Sequence, residues 1–201
     1  DGARIRLTQR TDYPWDGEVE IGVDLEEGME FSLMLRVPGW SDGANISVNG
    51  EAVGAGIEPG RYFELRRRWE RGDTVRISMP MRVKMMTAHP RVESSAWRVA
   101  VKRGPIVFCF EGADNPDFDV WYAQIDPSSS LSVSYRPDLL GGVVTVECGG
   151  AAIDTELWSG RLYVPIEKIA DGLKPVRLTA IPYHVWANRE PGPMEVWMGK
   201  R

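Results

Sequence analysis

The sequence predicts an all-β protein, two tandem antiparallel β-sandwich domains of jelly-roll-like type, and three observations predict it. Apolar residues recur with period two, the pleat of a half-buried strand, rather than with the 3.6 of a helix. Glycine, proline, asparagine and aspartate interrupt these runs at strand-sized intervals, as tight turns require. The 201 residues, 43% hydrophobic, are enough for two cores of ordinary sandwich size, about 100 residues each.

The first set of strands is EVEIGVDL (18–25), MEFSLMLRV (29–37), ANISVNG (44–50), RYFELRR (61–67) and TVRISM (74–79). Asn49-Gly50 closes the third run with a strong hairpin signal, because both residues tolerate positive φ. Glu70-Arg71-Gly72-Asp73 supplies a second polar turn. The weakly patterned MTAHPRVESSA (86–96) places the domain boundary there, giving domains 1–86 and 87–201. The second set is WRVAVKR (97–103), PIVFCF (105–110), LSVSYR (131–136), VVTVEC (143–148), RLYVPI (161–166), then 176–186 and 194–198. Only IEKIADGLK (166–174) has helical spacing, and it is two turns at most.

Charge and composition narrow the partners. A net charge of −5 and a pI near 5.2 give no attraction for a phosphate backbone or an anionic membrane, so no nucleic acid and no membrane partner is expected. No apolar run reaches the roughly 18 residues of a membrane span. The chain opens in strand-like sequence at Asp1 without an initiator methionine. It is therefore expected to be a piece of a longer protein, and the compartment stays open.

Chemistry-bearing motifs are scarce. Two cysteines and two histidines stand scattered at 89, 109, 148 and 184, without the short Cys/His spacing of a zinc site. Cys109 and Cys148 are expected to be small buried hydrophobes, with a disulfide between them as the alternative. No phosphate loop and no Gly-x-Ser-x-Gly elbow occurs. Eight tryptophans and six tyrosines admit a sugar platform, but buried aromatics are equally what a sandwich core uses. Trp69 and Trp97 are expected in the core, whereas Trp15 and Trp40, in turns beside prolines, are expected at the surface or against another domain.

LTAIPYHVWANREPGPMEVWM (178–198) is the densest aromatic stretch. Read as a strand, Leu178, Ala180, Pro182, His184 and Trp186 point one way and Thr179, Ile181, Tyr183 and Val185 the other. Both faces are largely apolar, so the strand is expected to pack on a second surface besides its own core. Pro182 lacks a donor and suggests an edge or bulge. The loop from Ala187 to Pro193 then returns through 194–198. Candidate interdomain or sugar contacts are Trp15, Trp40, Tyr183, His184, Trp186 and Asn188, with His184 expected to be structural.

Five segments carry a resemblance: TDYPWDGEVEI (11–21), LMLRVPGWSDGANISVNGE (33–51), GRYFELRRRWERGDTVRISMPM (60–81), AVKRGPIVFCFEGADN (100–115) and LTAIPYHVWANREPGPMEVW (178–197). In this order they resemble the C-terminal β-sandwich region of glycoside hydrolase family 127, typified by β-L-arabinofuranosidases. The resemblance implies that the reaction belongs to an N-terminal helical (α/α)₆ barrel, where a cysteine thiolate at a zinc site acts as nucleophile beside further cysteines and a glutamate. That motif has no counterpart here: Cys109 precedes Phe110, Cys148 precedes Gly149, and Glu147-Cys148 lacks the spacer. The resemblance thus implies no catalytic, metal or cofactor residue in this chain, with zinc only in the helical domain. Implied partners are that helical catalytic domain, a second copy in a homodimer, and weak glycan contact. A carbohydrate-binding module for arabinose-containing glycans is the alternative.

Overall fold

The structure is a computed structural model describing residues 3–54 and 56–201. Its contacts divide the chain into two compact units, up to Arg82 and from Val83 onward. Both are all-β and largely antiparallel, as the sequence predicts.

The first unit contains β1 (Ile5–Thr11), β2 (Glu18–Leu25), β3 (Met29–Arg36), β4 (Asn45–Val48), β5 (Glu51–Ala52), β6 (Tyr62–Trp69) and β7 (Thr74–Ser78). One sheet runs β1-β2-β7-β4-β5, and β3 pairs with β6 as a second layer. Period two is visible in the burial: Val19, Ile21, Val23 and Leu25 of β2 face inward with Val75 and Ile77 of β7. Leu33, Leu35, Leu65 and Trp69 close the core from the other layer. Trp69 is fully buried, donates from Nε1 to the Phe31 carbonyl at 3.0 Å and stacks on the Phe31 ring at 5.5 Å. Strand β1 pairs with β2 along its whole length yet is exposed on both faces. It escaped the sequence reading because IRLTQRT buries neither face.

The two turn signals of this unit are joined. Asn49 and Gly50 adopt φ of 53° and 87° between β4 and β5, the two-residue loop that an Asn-Gly pair favours. Asn49 Nδ2 donates to Asp73 Oδ1 at 2.8 Å, and Thr74 N donates back to Asn49 Oδ1 at 2.9 Å. The Glu70 N–H reaches Asp73 Oδ2 at 3.0 Å. Burial alone would raise the Asp73 carboxyl, but Glu70 N–H, Asn49 and the Arg67 guanidinium hold it below its ordinary value.

The second unit contains β8 (Val83–Thr87), β9 (Arg98–Arg103), β10 (Ile106–Glu111), β11 (Ala123–Ile125), β12 (Ser132–Arg136), β13 (Val143–Ile153), β14 (Leu173–Pro182), β15 (Met194–Glu195) and β16 (Met198–Lys200). Pairing passes from β10 through β14, β13, β11, β16 and β9, and β9 pairs again with β10. The layers therefore close into a ring, with only β11–β16 parallel. Strands β8, β15 and β12 extend from β9, β10 and β13. Phe108, Phe110, Ile125, Val146, Leu178, Ile181 and Met198 fill the interior.

Three sequence expectations give way here, and the boundary takes a position of its own. The strand β8 pairs with β9 from Val83↔Arg103 to Thr87↔Val99, and the contacts divide the chain between residues 82 and 83. RLYVPI is not a strand: Ser159 and Gly160 turn the chain at φ of 42° and 78°, and Leu162, Tyr163 and Ile166 project at 80–88% exposure. Trp97 is not core; at φ of 62° it precedes β9 with 82% of its surface exposed. The strand β14 stops at Pro182, which has no N–H to continue the ladder, and Tyr183–Val185 form a 3₁₀ turn instead. The strand alternation assigned to Tyr183, His184 and Trp186 therefore does not exist. The helical segment is a short 3₁₀ turn, Ile166–Lys168, followed by α1 (Ile169–Gly172). No helix among the described residues is long and apolar enough to cross a membrane.

Candidate functional site

The site begins where β10 runs out. After Glu111 the chain makes a 3₁₀ turn, Gly112–Asp114, and Gly112 lies so close to Pro193 that a Cβ there would sit 3.0 Å from its ring. The Gly112 N–H donates to the Pro193 carbonyl at 2.9 Å, which draws the loop from Ala187 to Pro193 over the end of the strand. Asn115, buried, secures the other side: Nδ2 donates to the carbonyls of Glu111 and Thr179, and its Oδ1 accepts from Thr179 N at 2.8 Å.

Arg189 enters this frame from the loop. It donates to Asp114 Oδ1 and Oδ2 at 2.8 and 2.6 Å, and to Glu111 Oε2 at 2.6 Å. The bidentate fork to Asp114 is the strong geometry for a guanidinium–carboxylate pair. Hydrogen bonding to Asp114 foremost, and then to Glu111, raises the guanidinium further above its ordinary value despite burial. Glu111 Oε1 also accepts from Ala187 N at 2.8 Å, where Ala187 adopts φ of 59°. A left-handed alanine costs about 1–2 kcal/mol, so this carboxylate holds a strained turn.

On that frame lie four of the six candidate residues. Tyr183 and Trp186 stack with ring centroids 6.1 Å apart, both more than a third exposed, and His184 is exposed on the turn between them. Asn188 Nδ2 donates to the carbonyls of Val185 and Trp186, fastening the turn. Trp15 and Trp40 belong to the first unit instead. Both are half-buried, Trp40 packs against the first core, and its ring stacks on Tyr13 at 6.3 Å.

A separate cleft of about 160 Å³ opens beside β16, lined by Arg98, Trp121, Tyr122, Gln124, Glu195 and Gly199 among others. Trp121 and Tyr122 are 61% and 47% exposed. Sequence reading missed this cleft and the Glu111–Asp114–Arg189 cluster. The cleft gathers side chains of five strands and one turn, and the cluster joins the end of β10 to the 187–193 loop, so spacing along the chain points to neither; the only signal for the cluster was charged residues set among glycines and prolines in EGADN and NREPGP.

Neither cysteine fits a thiolate centre. Cys109 and Cys148 are free and buried. Desolvation, aided at Cys109 by Glu111 and Asp114, pushes each thiol up to about 12, so both stay protonated and lack the anion that metal binding and nucleophilic attack need. Among the described residues no three His, Cys, Asp or Glu side chains gather as a metal would require.

Comparison with known proteins gives consistent matches. The model of the glycoside hydrolase family 127 C-terminal domain matches residues 83–199, and that of the beta-L-arabinofuranosidase GH127 middle domain matches residues 1–81. The chain is 38% identical over 202 residues to the non-reducing end beta-L-arabinofuranosidase of Bifidobacterium longum subsp. longum, covering 96% of this chain and 30% of that protein. Among solved structures, a GH127 beta-L-arabinofuranosidase from Geobacillus stearothermophilus T6 superimposes with a TM-score of 0.90 and 40% identity, over 100% of this chain and 31% of that one. A further GH127 beta-arabinofuranosidase gives 0.82 and 32%, over 99% and 32%. The chain thus spans about 30% of the length of these relatives.

Proposed function

Since this chain belongs to glycoside hydrolase family 127, through its middle and C-terminal domains, we propose that it is the non-catalytic β-region of a β-L-arabinofuranosidase-like hydrolase. Its role is to buttress a helical catalytic domain carried elsewhere in a longer polypeptide. Any zinc would belong to that helical domain.

The observation that carries this reading is the segment around residues 159–166. Leu162, Tyr163 and Ile166 are 80–88% exposed in a short irregular stretch. Soluble surfaces tolerate scattered apolar side chains, but three large ones gathered on one segment are the mark of a surface made to be covered. The protonated thiols and the lack of a clustered donor set among the described residues support the non-catalytic half.

The test is an assay of the purified chain on an aryl β-L-arabinofuranoside, with and without zinc and reductant. No turnover is expected. Turnover that survives repurification and is lost on substituting a residue of this chain would overturn the reading.

A further inference from the structure

We propose that the cleft beside β16 is a subsite for one neutral sugar ring, with Trp121 as its platform. This goes beyond the buttressing role and does not depend on it.

The backbone that carries the platform is fixed before any ligand arrives. Trp121 sits on the 3₁₀ turn Val120–Tyr122, where the Asp119 carboxylate accepts from Trp121 N at 3.0 Å and the Asp119 carbonyl accepts from Tyr122 N at 3.0 Å. A turn capped in this way presents the indole at 61% exposure from a backbone that needs no further ordering. An exposed tryptophan whose backbone is tied down is poorly explained as packing within its own unit, since little of the ring is removed from water there.

Polar groups line the same cleft as the platform. Arg98 Nη1 donates to Glu195 Oε2 at 3.2 Å and to the Trp197 carbonyl at 2.8 Å, which orients both planar side chains. Gln124 adds an amide, and Gly199 leaves the floor without a side chain. The Arg98–Glu195 pair cancels its own charge, so the cleft favours neither anion nor cation. A cleft that combines an exposed aromatic face with planar donors and acceptors matches a ring with C–H faces and a hydroxyl rim. At about 160 Å³ the cleft lies below the roughly 300 Å³ at which pockets hold drug-sized ligands. It is sized for one ring at the end or branch of a glycan.

The experiment is a saturation-transfer NMR titration of the full 201-residue chain with methyl α-L-arabinofuranoside and, in parallel, methyl β-D-galactopyranoside. Binding of at least one with Kd of about 1 mM is expected, the range of a single weak contact site. Trp121→Ala should weaken it at least about tenfold, or about 1.4 kcal/mol, while Tyr62→Ala, on the solvent face of β6 at 62% exposure, leaves it unchanged. Both rings are exposed, so each variant should keep its melting temperature; where Trp121→Ala does not, Glu195→Gln replaces it with the same expected loss. Absence of saturation transfer from either glycoside overturns the proposal. So does equal loss in the Trp121 and Tyr62 variants, which would mean non-specific aromatic contact.

Discussion

The two units place their large apolar side chains differently. In the first, most ride on strands: those on the inner face fill the core, with Trp69 at 0% exposure, and the outward ones, such as Met34 and Tyr62, reach 52% and 62%. In the second, Trp97, Trp121, Leu162, Tyr163 and Ile166 sit on turns and stay between 61% and 88% exposed. A strand fixes where alternate side chains point, so the residues of one face go inward together. A turn fixes no face, and an apolar residue retained there is available for something other than the unit's own core. The second unit is therefore where contacts with other molecules or domains should be sought.

The largest expected effect sets one tryptophan against another. Trp69→Ala should cost about 3–5 kcal/mol, the usual range for emptying a core aromatic. Trp97→Ala should change stability by no more than about 0.5 kcal/mol, as exposed substitutions do. Urea denaturation of both variants checks this, and comparable losses would erase the contrast. Next comes Arg189→Ala, which leaves Glu111 and Asp114 facing each other without their cation. Removing one partner from a largely buried ion cluster should cost about 3 kcal/mol. It should also free the 183–193 turn, read as faster amide exchange there.

A smaller effect belongs to the first unit. Asp73→Ala should cost about 1–2 kcal/mol by unfastening the two turns that its carboxylate joins. Because the folded carboxyl is held below its ordinary value, this stabilisation is complete above the unfolded pKa of about 4 and is lost as pH falls through the folded value. The gap between protein and variant should therefore be full at neutral pH and shrink in acid. A gap that widened in acid would reverse the sign and refute the assignment.

Legibility in the sequence followed the same division. EVEIGVDL and TVRISM could be read because one face is buried and the other wet, and Asn49-Gly50 because a two-residue loop there demands positive φ. IRLTQRT could not, since a strand exposed on both faces has no alternation to show. RLYVPI was misread because its alternation has no partner strand, and Trp97 because exposure depends on a backbone reversal that composition does not encode. The aromatic turn was located but not its form, which Pro182 settles by ending the ladder. The Glu111–Asp114–Arg189 cluster brings together residues 75 and 78 positions apart, a pairing that one chain read alone cannot reveal.

The smallest stability effect and the most direct test concern the same segment. Leu162→Ser and Tyr163→Ser should each leave the stability of this chain within about 0.5 kcal/mol, since neither side chain is packed. Hydroxyl-radical footprinting of Leu162, Tyr163 and Ile166 should then be compared between this chain and a longer polypeptide that also carries the helical domain. The buttressing role predicts heavy modification of all three in the chain alone and protection of all three in the longer protein. Equal modification in both would contradict it.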